Sequence, residues 1–426
     1  MKEFRPAESA TPPMIRFLHS ADWQLGARFT QFGGHGTRLR EARLETLRRM
    51  ASEAVRLEVD FVCIAGDLFE DNQVADRLVA DALAILASSR VPTYILPGNH
   101  DPISGPDCVW NHPVARHPPV GVHILRNVGV TEVGHDAVLV ASPLSQKHST
   151  SDPSLALVSA LAAAPSGRIR IGITHGSPAI ASLHQENDFP IGLDAASRAG
   201  LEFLGIGHWH SWLEGLDGGR ILMPGTPEPD RFTNDAAGQV ALVEIASVGA
   251  LPRITPVPVA TLDWKLIELD LFDPAATAAT VAARLDSLLP RAEATVLRIR
   301  LTGAVDPSGH AAVKAAMEPR IGRFPIHQVV DETRLAPGQA DWIHLRSGHP
   351  LLAEVLSDID RLEVLATGVA PPGEAPSGEG TTASDLTPVG ARELLAGVQM
   401  DVSALRPEHL AAMRHLLFQH LPEDAR

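Results

Sequence analysis

Three things are scarce in this chain of 426 residues: cysteine, long apolar runs and positive charge. The only cysteines are Cys63 and Cys108, and Cys63 lies within an apolar run, so a fold held by disulfides is not expected. No run of about 18 apolar residues occurs, so no membrane-spanning helix is predicted. Because the N-terminal residues 1–13 are polar and contain no apolar targeting segment, we expect a flexible extension there and a cytoplasmic protein.

The shortage of positive charge excludes one class of protein. With 36 Lys and Arg against 51 Asp and Glu, the formal net charge is −15. That charge argues against a protein that coats nucleic acid through a global positive field. It does not exclude an enzyme that acts on nucleic acid, because bound metal ions supply local positive charge and a partner subunit can supply more of the binding surface.

Short apolar runs alternate with helix-like segments from residue 14 to 260. This pattern predicts an α/β domain whose layered sheets carry helices on the outside. A helix is predicted near residues 44–55 and another at residues 74–88, each from apolar residues at helical spacing. The predicted strands cover residues 14–20, 60–66, 92–98, 122–125, 137–142, 168–175, 201–207, 220–225 and 239–245.

Three further segments follow this domain. Residues 261–368 alternate strand and helix patterns, which predicts a small α+β unit, and we expect it to shape access to a site in the first domain. The stretch VAPPGEAPSGEGTTASDL, residues 369–386, has the composition of a linker. Residues 387–426 contain two amphipathic helix candidates, 388–398 and 407–421. Such a short helical pair needs a surface to pack on, either its own protein or a partner.

Five short pieces, each after a predicted strand, contain the residues that carry chemistry. Loops after strand ends are where sheet scaffolds place reactive groups. A single histidine in such a loop is more often a hydrogen-bonded structural residue, but five such pieces together favour one shared site. They are Asp22 in HSADWQLG, Asp67 in IAGDLFED, Asn99 and His100 in LPGNHD, His175 in ITHG, and His208 and His210 in GHWH.

The residue types in these pieces favour a metal site. Aspartate and neutral imidazole are ligands for Mn, Fe or Zn ions, and one aspartate can bridge two ions. A pair of ions about 3.5 to 4 Å apart can activate water and stabilise the attacking and leaving oxygens of a phosphoryl group. The residues alone therefore predict a metal-dependent hydrolase acting on a phosphoester.

In their order, the motifs GD, GNHD and GHWH after an initial aspartate motif resemble the calcineurin-like metallophosphoesterase superfamily. Within it, FLHSADWQLG, IAGDLFED, LPGNHD, GHWH and PGTPEPDRF are similar to the SbcD-type DNA repair nucleases, the nuclease half of the SbcCD complex. The superfamily motifs span residues 19–210, and the similarity is weaker beyond residue 260. The resemblance implies a four-layer α/β/β/α sandwich, a smaller α+β capping domain and a helical C-terminal tail.

The resemblance also implies a role for each residue of the site. Asp67 would bridge two divalent ions, with Mn²⁺ the expected metal. One ion would take Asp22, Asp67 and His210, and the other Asp67, Asn99, His175 and His208. His100 would face the scissile phosphate, where it could stabilise charge or protonate the leaving oxygen. Asp101 would either orient the His100 imidazole or serve as a turn residue before Pro102.

One position departs from the family pattern. Where these nucleases commonly have Asp-x-His in the first motif, this chain has Asp22, Trp23 and Gln24. Because a glutamine oxygen binds transition metals less well than imidazole does, we predict a weaker or more open first site. Gln24 would then be a ligand or a hydrogen-bond partner of a metal-bound water.

Two basic features have two interpretations each. Arg231, in PGTPEPDRF, either binds nucleic acid through its charge or is a structural residue. A helical stretch with several arginines is either a phosphate-facing patch or, as is more usual, a solvated face. Those arginines are Arg38, Arg40, Arg43, Arg48 and Arg49.

The favoured function that the resemblance implies is a two-metal-dependent DNA phosphodiesterase in double-strand-break repair. It would act as an exonuclease, with endonuclease activity left open, and would form a homodimer. Its partner would be an SbcC-like ATPase of the SMC type, docked on the C-terminal helices. Two alternatives remain: a phosphoesterase for a small phosphodiester or a phosphoprotein, and a non-catalytic repair scaffold in which Gln24 is a first sign of decay.

Overall fold

The computed structural model describes residues 15–162, 164–180, 187–232, 236–271, 274–335 and 350–367, together with residues 343, 346–348, 410 and 413. The chain divides into two compact units, Met1–Trp264 and Lys265–Arg426. The predicted N-terminal extension and the predicted linker lie outside the described residues. So does the predicted docking segment, apart from Leu410 and Met413.

The first unit alternates strands with helices along the chain. The helices are α1 Gly36–Arg56, α2 Asp76–Ser88, α3 Pro113–Arg116, α4 Leu155–Leu161 and α5 Ala195–Ala199, with 3₁₀ turns at Thr30–His35, Val109–Asn111 and Asp217–Gly219. The strands are β1 Ile15–Ser20, β2 Phe61–Ala65, β3 Thr93–Leu96, β4 Val122–Ile124, β5 Gly129–Val133, β6 Ala137–Ser142, β7 Ile169–His175, β8 Ser177–Pro178, β9 Pro190–Ile191, β10 Phe203–Gly207, β11 Leu213–Leu216, β12 Ile221–Met223, β13 Gln239–Ile245 and β14 Arg253–Pro258.

Two mixed six-stranded sheets form the centre of this unit. The first has the order β14-β13-β1-β2-β3-β4, in which β1 to β4 are parallel and β13 and β14 run antiparallel to their neighbours. The second has the order β11-β12-β10-β7-β6-β5, with a parallel centre and antiparallel strands at both edges. Each set of parallel strands therefore ends at one edge of its sheet.

Buried apolar side chains form three layers around these sheets. Within β1, Phe17 points into the layer between the two sheets, whereas Leu18 points to the layer that α1 and α2 cover. A third layer lies between the second sheet and the helices α4 and α5. This alternation follows from the two-residue period of a strand, and both faces of the central strands are buried. The unit is the predicted α/β/β/α sandwich.

The second unit is a separate α+β structure. Its elements are β15 Asp263–Asp270, α6 Pro274–Leu288, a 3₁₀ turn at Leu289–Ala294, β16 Thr295–Thr302, β17 Ala304–Val305, α7 Pro307–Ile321, β18 Ile326–Asp331, β19 Arg334–Leu335 and α8 Pro350–Thr367. The strands β15, β16 and β18 form one sheet, and β17 pairs with β19. Side chains such as Ile299, Leu285 and Val313 form its core. Across the described residues, no helix is long and apolar enough to cross a membrane.

Candidate metal centre

The chemistry-bearing residues of the sequence lie together at the carboxyl ends of strands from both sheets. Asp22 and Asp67 follow β1 and β2, and Asn99, His100 and Asp101 follow β3. From the second sheet, His175 ends β7, and His208 and His210 follow β10. A hydrogen bond joins the two groups of loops: the backbone N–H of His208 donates to the side-chain oxygen Oδ2 of Asp22 at 3.0 Å.

The loops that carry Asp22 and Asp67 have an unusual backbone conformation. The backbone of Asp22 and Asp67 is in the left-handed region, with φ of 56° and 54°, and that of Gln24 is there too, with φ of 41°. Asp22 N donates to the Gly66 carbonyl at 3.2 Å and Gln24 N donates to the Asp67 carbonyl at 2.9 Å. Such conformations cost free energy and persist only where surrounding contacts hold them, which is common at functional sites.

Asp22, Asp67 and His175 form the centre of the site. All three are buried, and one ligand atom from each lies within 4.8 Å of the others. Asp67 Oδ2 is 3.4 Å from His175 Nε2, while His175 Nδ1 lies 2.7 Å from the Ala65 carbonyl. That carbonyl accepts the Nδ1 proton, so Nε2 is the atom turned toward the carboxylates.

Burial and mutual charge set the protonation of these three groups. Burial raises the pKa of Asp22. Burial acts in the same direction on Asp67, but His175 outweighs it and the pKa of Asp67 lies below its ordinary value. Burial acts to lower the pKa of His175, yet Asp67 and Asp22 raise it to about 9. The site thus concentrates negative charge that the histidine only partly offsets.

A second group of ligand atoms converges on Asn99. Its side-chain oxygen Oδ1 lies 2.8 Å from His175 Nε2 and 3.0 Å from His208 Nδ1. His175 thus contacts both Asp67 and Asn99, and it joins this group to the aspartate pair. The two sets of ligands expected from the sequence stay predictions.

The donor set fits divalent cations. Asp22 Oδ1 is buried and has no hydrogen-bond partner among the described residues. Leaving a carboxylate oxygen unpaired in the protein interior costs free energy, and a cation satisfies it. The close approach depends on glycine, since a Cβ added at Gly98 would overlap the Asp67 carboxylate and one at Gly66 would overlap the His175 ring.

Two carboxylates that the sequence did not identify orient the histidines of GHWH. Asp188 Oδ2 lies 2.8 Å from His208 Nε2, and Asp230 Oδ2 lies 2.6 Å from His210 Nδ1. In each case the carboxylate holds one ring nitrogen, which leaves the other nitrogen for a metal. Asp230 lies in the quoted motif PGTPEPDRF, whereas Asp188 lies in a polar loop with no strand end to indicate it.

We expect Asp188→Asn and Asp230→Asn each to weaken the binding of a different ion by about 10- to 100-fold, because the histidine loses its negatively charged partner. Calorimetric titration with Mn²⁺ measures both affinities. Asp194→Asn is the matched control, since Asp194 is an exposed carboxylate that pairs with Arg198 on the surface. Equal affinities in all three variants would contradict the orienting role.

His100 and Asp101 lie next to each other in the chain but contact different groups. His100 N donates to Asp67 Oδ1 at 2.9 Å, and its ring nitrogen Nδ1 lies 2.9 Å from the Glu70 carbonyl. The Asp101 carboxylate instead accepts the N–H groups of Phe69 and Gly98, at 3.0 Å and 2.7 Å. The expectation that Asp101 orients the His100 imidazole is thus corrected, because both of its oxygens hold backbone loops.

Burial also changes the acidity of Asp101. Burial, helped by the nearby Asp67, raises the pKa of Asp101 to about 7. The group lies wholly inside the protein, and the indole N–H of Trp110 donates to its backbone carbonyl. Asp101 therefore ties the β2 and β3 loops to each other, and the Glu70 carbonyl orients His100.

Gln24 and Arg231 lie near the first set of ligands. Gln24 is buried in the same loop as Asp22. The exposed Arg231 donates from Nε to Asp230 Oδ1 at 3.2 Å, and its Nη2 lies 3.4 Å from His210 Nδ1. The structure thus places Arg231 at the edge of the site, and its contact with substrate stays a prediction.

Comparison with known proteins gives a family match over the region that holds the site. The family described as calcineurin-like phosphoesterase matches residues 15–211. An uncharacterized metallophosphoesterase of Bacillus subtilis, YhaO, is 30% identical over 98 residues, 21% of this chain and 24% of that protein. The DNA double-strand break repair protein Mre11 of Methanococcus maripaludis is 32% identical over 90 residues, 20% of this chain and 23% of that protein. The chain thus matches only about a quarter of the length of these relatives.

Solved structures give weaker likenesses. TT1561 of Thermus thermophilus is 14% identical with a TM-score of 0.40, and the match covers 58% of this chain and 100% of that one. A dimetal phosphatase from Danio rerio is 11% identical with a TM-score of 0.33, with 58% and 100% covered. Likenesses at these TM-scores support no conclusion about the chain.

Proposed function

We propose that the protein is a two-metal DNA phosphodiesterase acting as an exonuclease in double-strand-break repair. The match of residues 15–211 to the calcineurin-like phosphoesterases supports a metal-dependent phosphoesterase. DNA as the substrate is the further step, and two observations support it: the SbcD-type motifs of the sequence and the 90-residue similarity to a DNA double-strand break repair protein.

The convergence of the strand-end residues carries this proposal. Five of the six predicted ligands lie together: Asp22, Asp67 and His175 have ligand atoms within 4.8 Å of one another, and Asn99 contacts His175 and His208. One set is Asp22, Asp67 and His210, and the other is Asp67, Asn99, His175 and His208. Carboxylate, amide and imidazole donors in this mixture suit Mn²⁺, which is the ion we propose.

When bound, two such ions supply an activated water at neutral pH and neutralise charge on the phosphoryl oxygens. The residues of the chain position that chemistry. Asp188 and Asp230 fix the ring orientations of His208 and His210. The Glu70 carbonyl fixes His100, so that the opposite ring nitrogen is available to a leaving oxygen.

Arg231 supports a polyanionic substrate. Its guanidinium is exposed at the edge of the site and lies against Asp230, which holds His210. An exposed arginine next to a phosphoryl-transfer site can contact a flanking phosphate of a nucleic acid. A small phosphoester has no such flanking phosphate, and Arg231 would add little to its binding.

The test compares substrates under identical conditions. With Mn²⁺, the protein should release nucleotides from the ends of a linear duplex DNA, and chelation should stop the release. Hydrolysis of bis(p-nitrophenyl) phosphate or of a phosphoserine peptide without release of nucleotides would overturn the choice of DNA in favour of a small phosphodiester or a phosphoprotein. No hydrolysis of any of these substrates would favour the scaffold.

The proposed partner is an SbcC-like ATPase of the SMC type, docked on the C-terminal helices of a homodimer. The net charge of −15 supports a subunit whose partner supplies much of the grip on DNA. In the described part of the predicted second helix, Leu410 is buried and Met413 is 42% exposed. Met413 is therefore an apolar side chain that a partner could cover.

Removal of residues 369–426 should abolish binding of the ATPase and leave basal Mn²⁺-dependent hydrolysis of bis(p-nitrophenyl) phosphate intact, because the predicted ligands all lie in the first unit. Pull-down with the ATPase and a steady-state assay measure the two properties. Met413→Glu in the full chain is the milder companion variant and should weaken binding alone. Loss of all hydrolysis after truncation would contradict a tail that only docks.

A further inference from the structure

The arginine stretch of α1 contains one residue that the sequence patterns did not separate from the rest. Arg38, Arg40, Arg48 and Arg49 are exposed, as expected for a solvated face. Arg43 is only 1% exposed and is among the largest fully buried side chains of the protein. A buried guanidinium needs a physical explanation, because arginine stays charged and loses its hydration in the interior.

The contacts of Arg43 satisfy only part of its guanidinium. Its Nη1 donates to the backbone carbonyl of Trp23, and its guanidinium carbon lies 5.1 Å from the centroid of the Phe29 ring. Nε and Nη2 have no hydrogen-bond partner among the described residues. An arginine that serves stability alone would be expected to form hydrogen bonds with all of its N–H groups. The single hydrogen bond of Arg43, to the Trp23 carbonyl, therefore favours a role in positioning the adjacent loop.

The charge of Arg43 faces the same region. Burial lowers the pKa of Arg43, and the negative charges of Asp230, Glu228 and Glu70 oppose that shift. Asp230 is the residue that holds His210. Arg43 therefore lies near both halves of the first predicted ion site, the Asp22 loop and the carboxylate behind His210.

The carbonyl that Arg43 holds is at the centre of that loop. Trp23 lies between Asp22 and Gln24, and both of those residues are in the left-handed region. The N–H groups of Asp22 and Gln24 are held by carbonyls of the β2 loop, and Arg43 holds the intervening carbonyl from the α1 side. Opposed contacts of this kind fix a strained backbone in one conformation.

We propose that Arg43 is a positioning residue for the first metal ion: by holding the Trp23 carbonyl, it fixes the loop that presents Asp22 and Gln24. The inference rests on the two-metal site proposed above. Arg43 would thus support a metal site in which Gln24 stands where related nucleases usually have a histidine. Arg43 acts through the loop and does not itself touch metal or substrate.

This role predicts an effect on metal binding that is selective for one ion. Removing the buried guanidinium leaves the carboxylates of Asp230, Glu228 and Glu70 without the positive charge that acts on them, which is destabilising. Arg43→Met should therefore lower the thermal midpoint of the metal-free protein while the second ion still binds as in the wild type. The affinity for the first ion should fall by about tenfold or more, as when other groups that support metal ligands are removed.

Calorimetric titration of the full chain with Mn²⁺, beside thermal unfolding in chelator, tests the inference. Arg43→Met should weaken the binding of one ion and leave the binding of the other unchanged. Arg43→Lys keeps the positive charge and an N–H donor, so it should recover most of the lost affinity. Arg48→Met is the matched control, because it makes the same chemical change on the same helix. Arg48 is exposed and pairs with Glu45, so both affinities should stay at the wild-type values.

Three results are decisive. Two ions bound by Arg43→Met with wild-type affinities would overturn the inference and leave the proposed function standing. A parallel fall in both affinities together with the thermal midpoint would also overturn it, because that is the signature of a residue needed only for folding. Wild-type protein that binds fewer than two ions would overturn the two-metal proposal and this inference with it.

Discussion

Replacing Asp67 with asparagine is expected to lower the rate of phosphodiester hydrolysis by about 10³-fold or more, on the scale of losing a charge that stabilises the transition state. Asp67 is the carboxylate predicted to bridge the two sets of ligands. Its Oδ2 lies 3.4 Å from His175 Nε2 and its Oδ1 accepts the His100 N–H at 2.9 Å. An amide has a similar shape but lacks the charge that a bridging ligand needs. The kcat for bis(p-nitrophenyl) phosphate in Mn²⁺ measures the loss.

The control for this prediction makes the same chemical change at the surface. Asp136 is an exposed carboxylate that pairs with Arg168, and Asp136→Asn should leave kcat unchanged. Calorimetry should show that Asp67→Asn has lost affinity for both ions, since the predicted bridge contacts both. Retention of activity within tenfold of wild type would remove Asp67 from the catalytic assignment.

Replacing His100 with glutamine should lower kcat by about 10² to 10⁴-fold, the range for loss of a positioned proton donor, while both metal affinities stay unchanged. The Glu70 carbonyl holds Nδ1 at 2.9 Å and the backbone N–H is bound to Asp67, so the ring is fixed beside the metal ligands. If His100 protonates the leaving oxygen, the loss should be larger for DNA than for a substrate with a p-nitrophenolate leaving group. The kcat ratio for the two substrates measures that difference.

His135→Gln provides the control, because His135 is exposed in a loop after β5. An equal loss on both substrates would assign His100 to stabilising the phosphate charge and remove the proton-donor role. A loss of metal affinity that parallels the loss of kcat would contradict both roles, because it would make His100 part of the metal site.

The central strands and the position of the site could be predicted from the sequence. β2, FVCIA, is buried on both faces and reads as a continuous apolar run, and β7, IRIGITH, is buried except at Arg170 and ends in His175. Parallel neighbours end at the same edge, which places Asp22, Asp67 and Asn99 together after β1, β2 and β3, and His175 and His208 together after β7 and β10. The nine predicted strands of the first domain all have counterparts in the structure.

Three of the four edge strands of the two large sheets, β5, β11 and β14, were missed, and two of them show a physical reason. β14 contains Pro256 and Pro258, which weaken any strand signal and are tolerated because this strand lies at the edge of its sheet. β11 is short, and its residues Glu214 and Gly215 are exposed. Local sequence carries little information about strands that are held mainly by pairing with a neighbour.

The groups that support the site could be predicted least. Asp188 and Asp230 each contact a histidine that lies 20 residues away along the chain, and no sequence pattern links either pair. Arg43 belongs to a run whose composition is that of a solvated face, and only the packing of α1 shows that it is buried. Asp101 was expected either to orient the His100 imidazole or to serve as a turn residue, and backbone N–H groups with no sequence signature bind both of its carboxylate oxygens.

An anomalous-scattering map of crystals soaked in Mn²⁺ tests the central claim most directly. The account predicts two peaks about 3.5 to 4 Å apart, one on each side of Asp67. One peak should lie beside Asp22 and His210, where the map also shows what Gln24 contacts, and the other beside Asn99, His175 and His208. A single peak, or peaks away from Asp67, would contradict a two-metal centre.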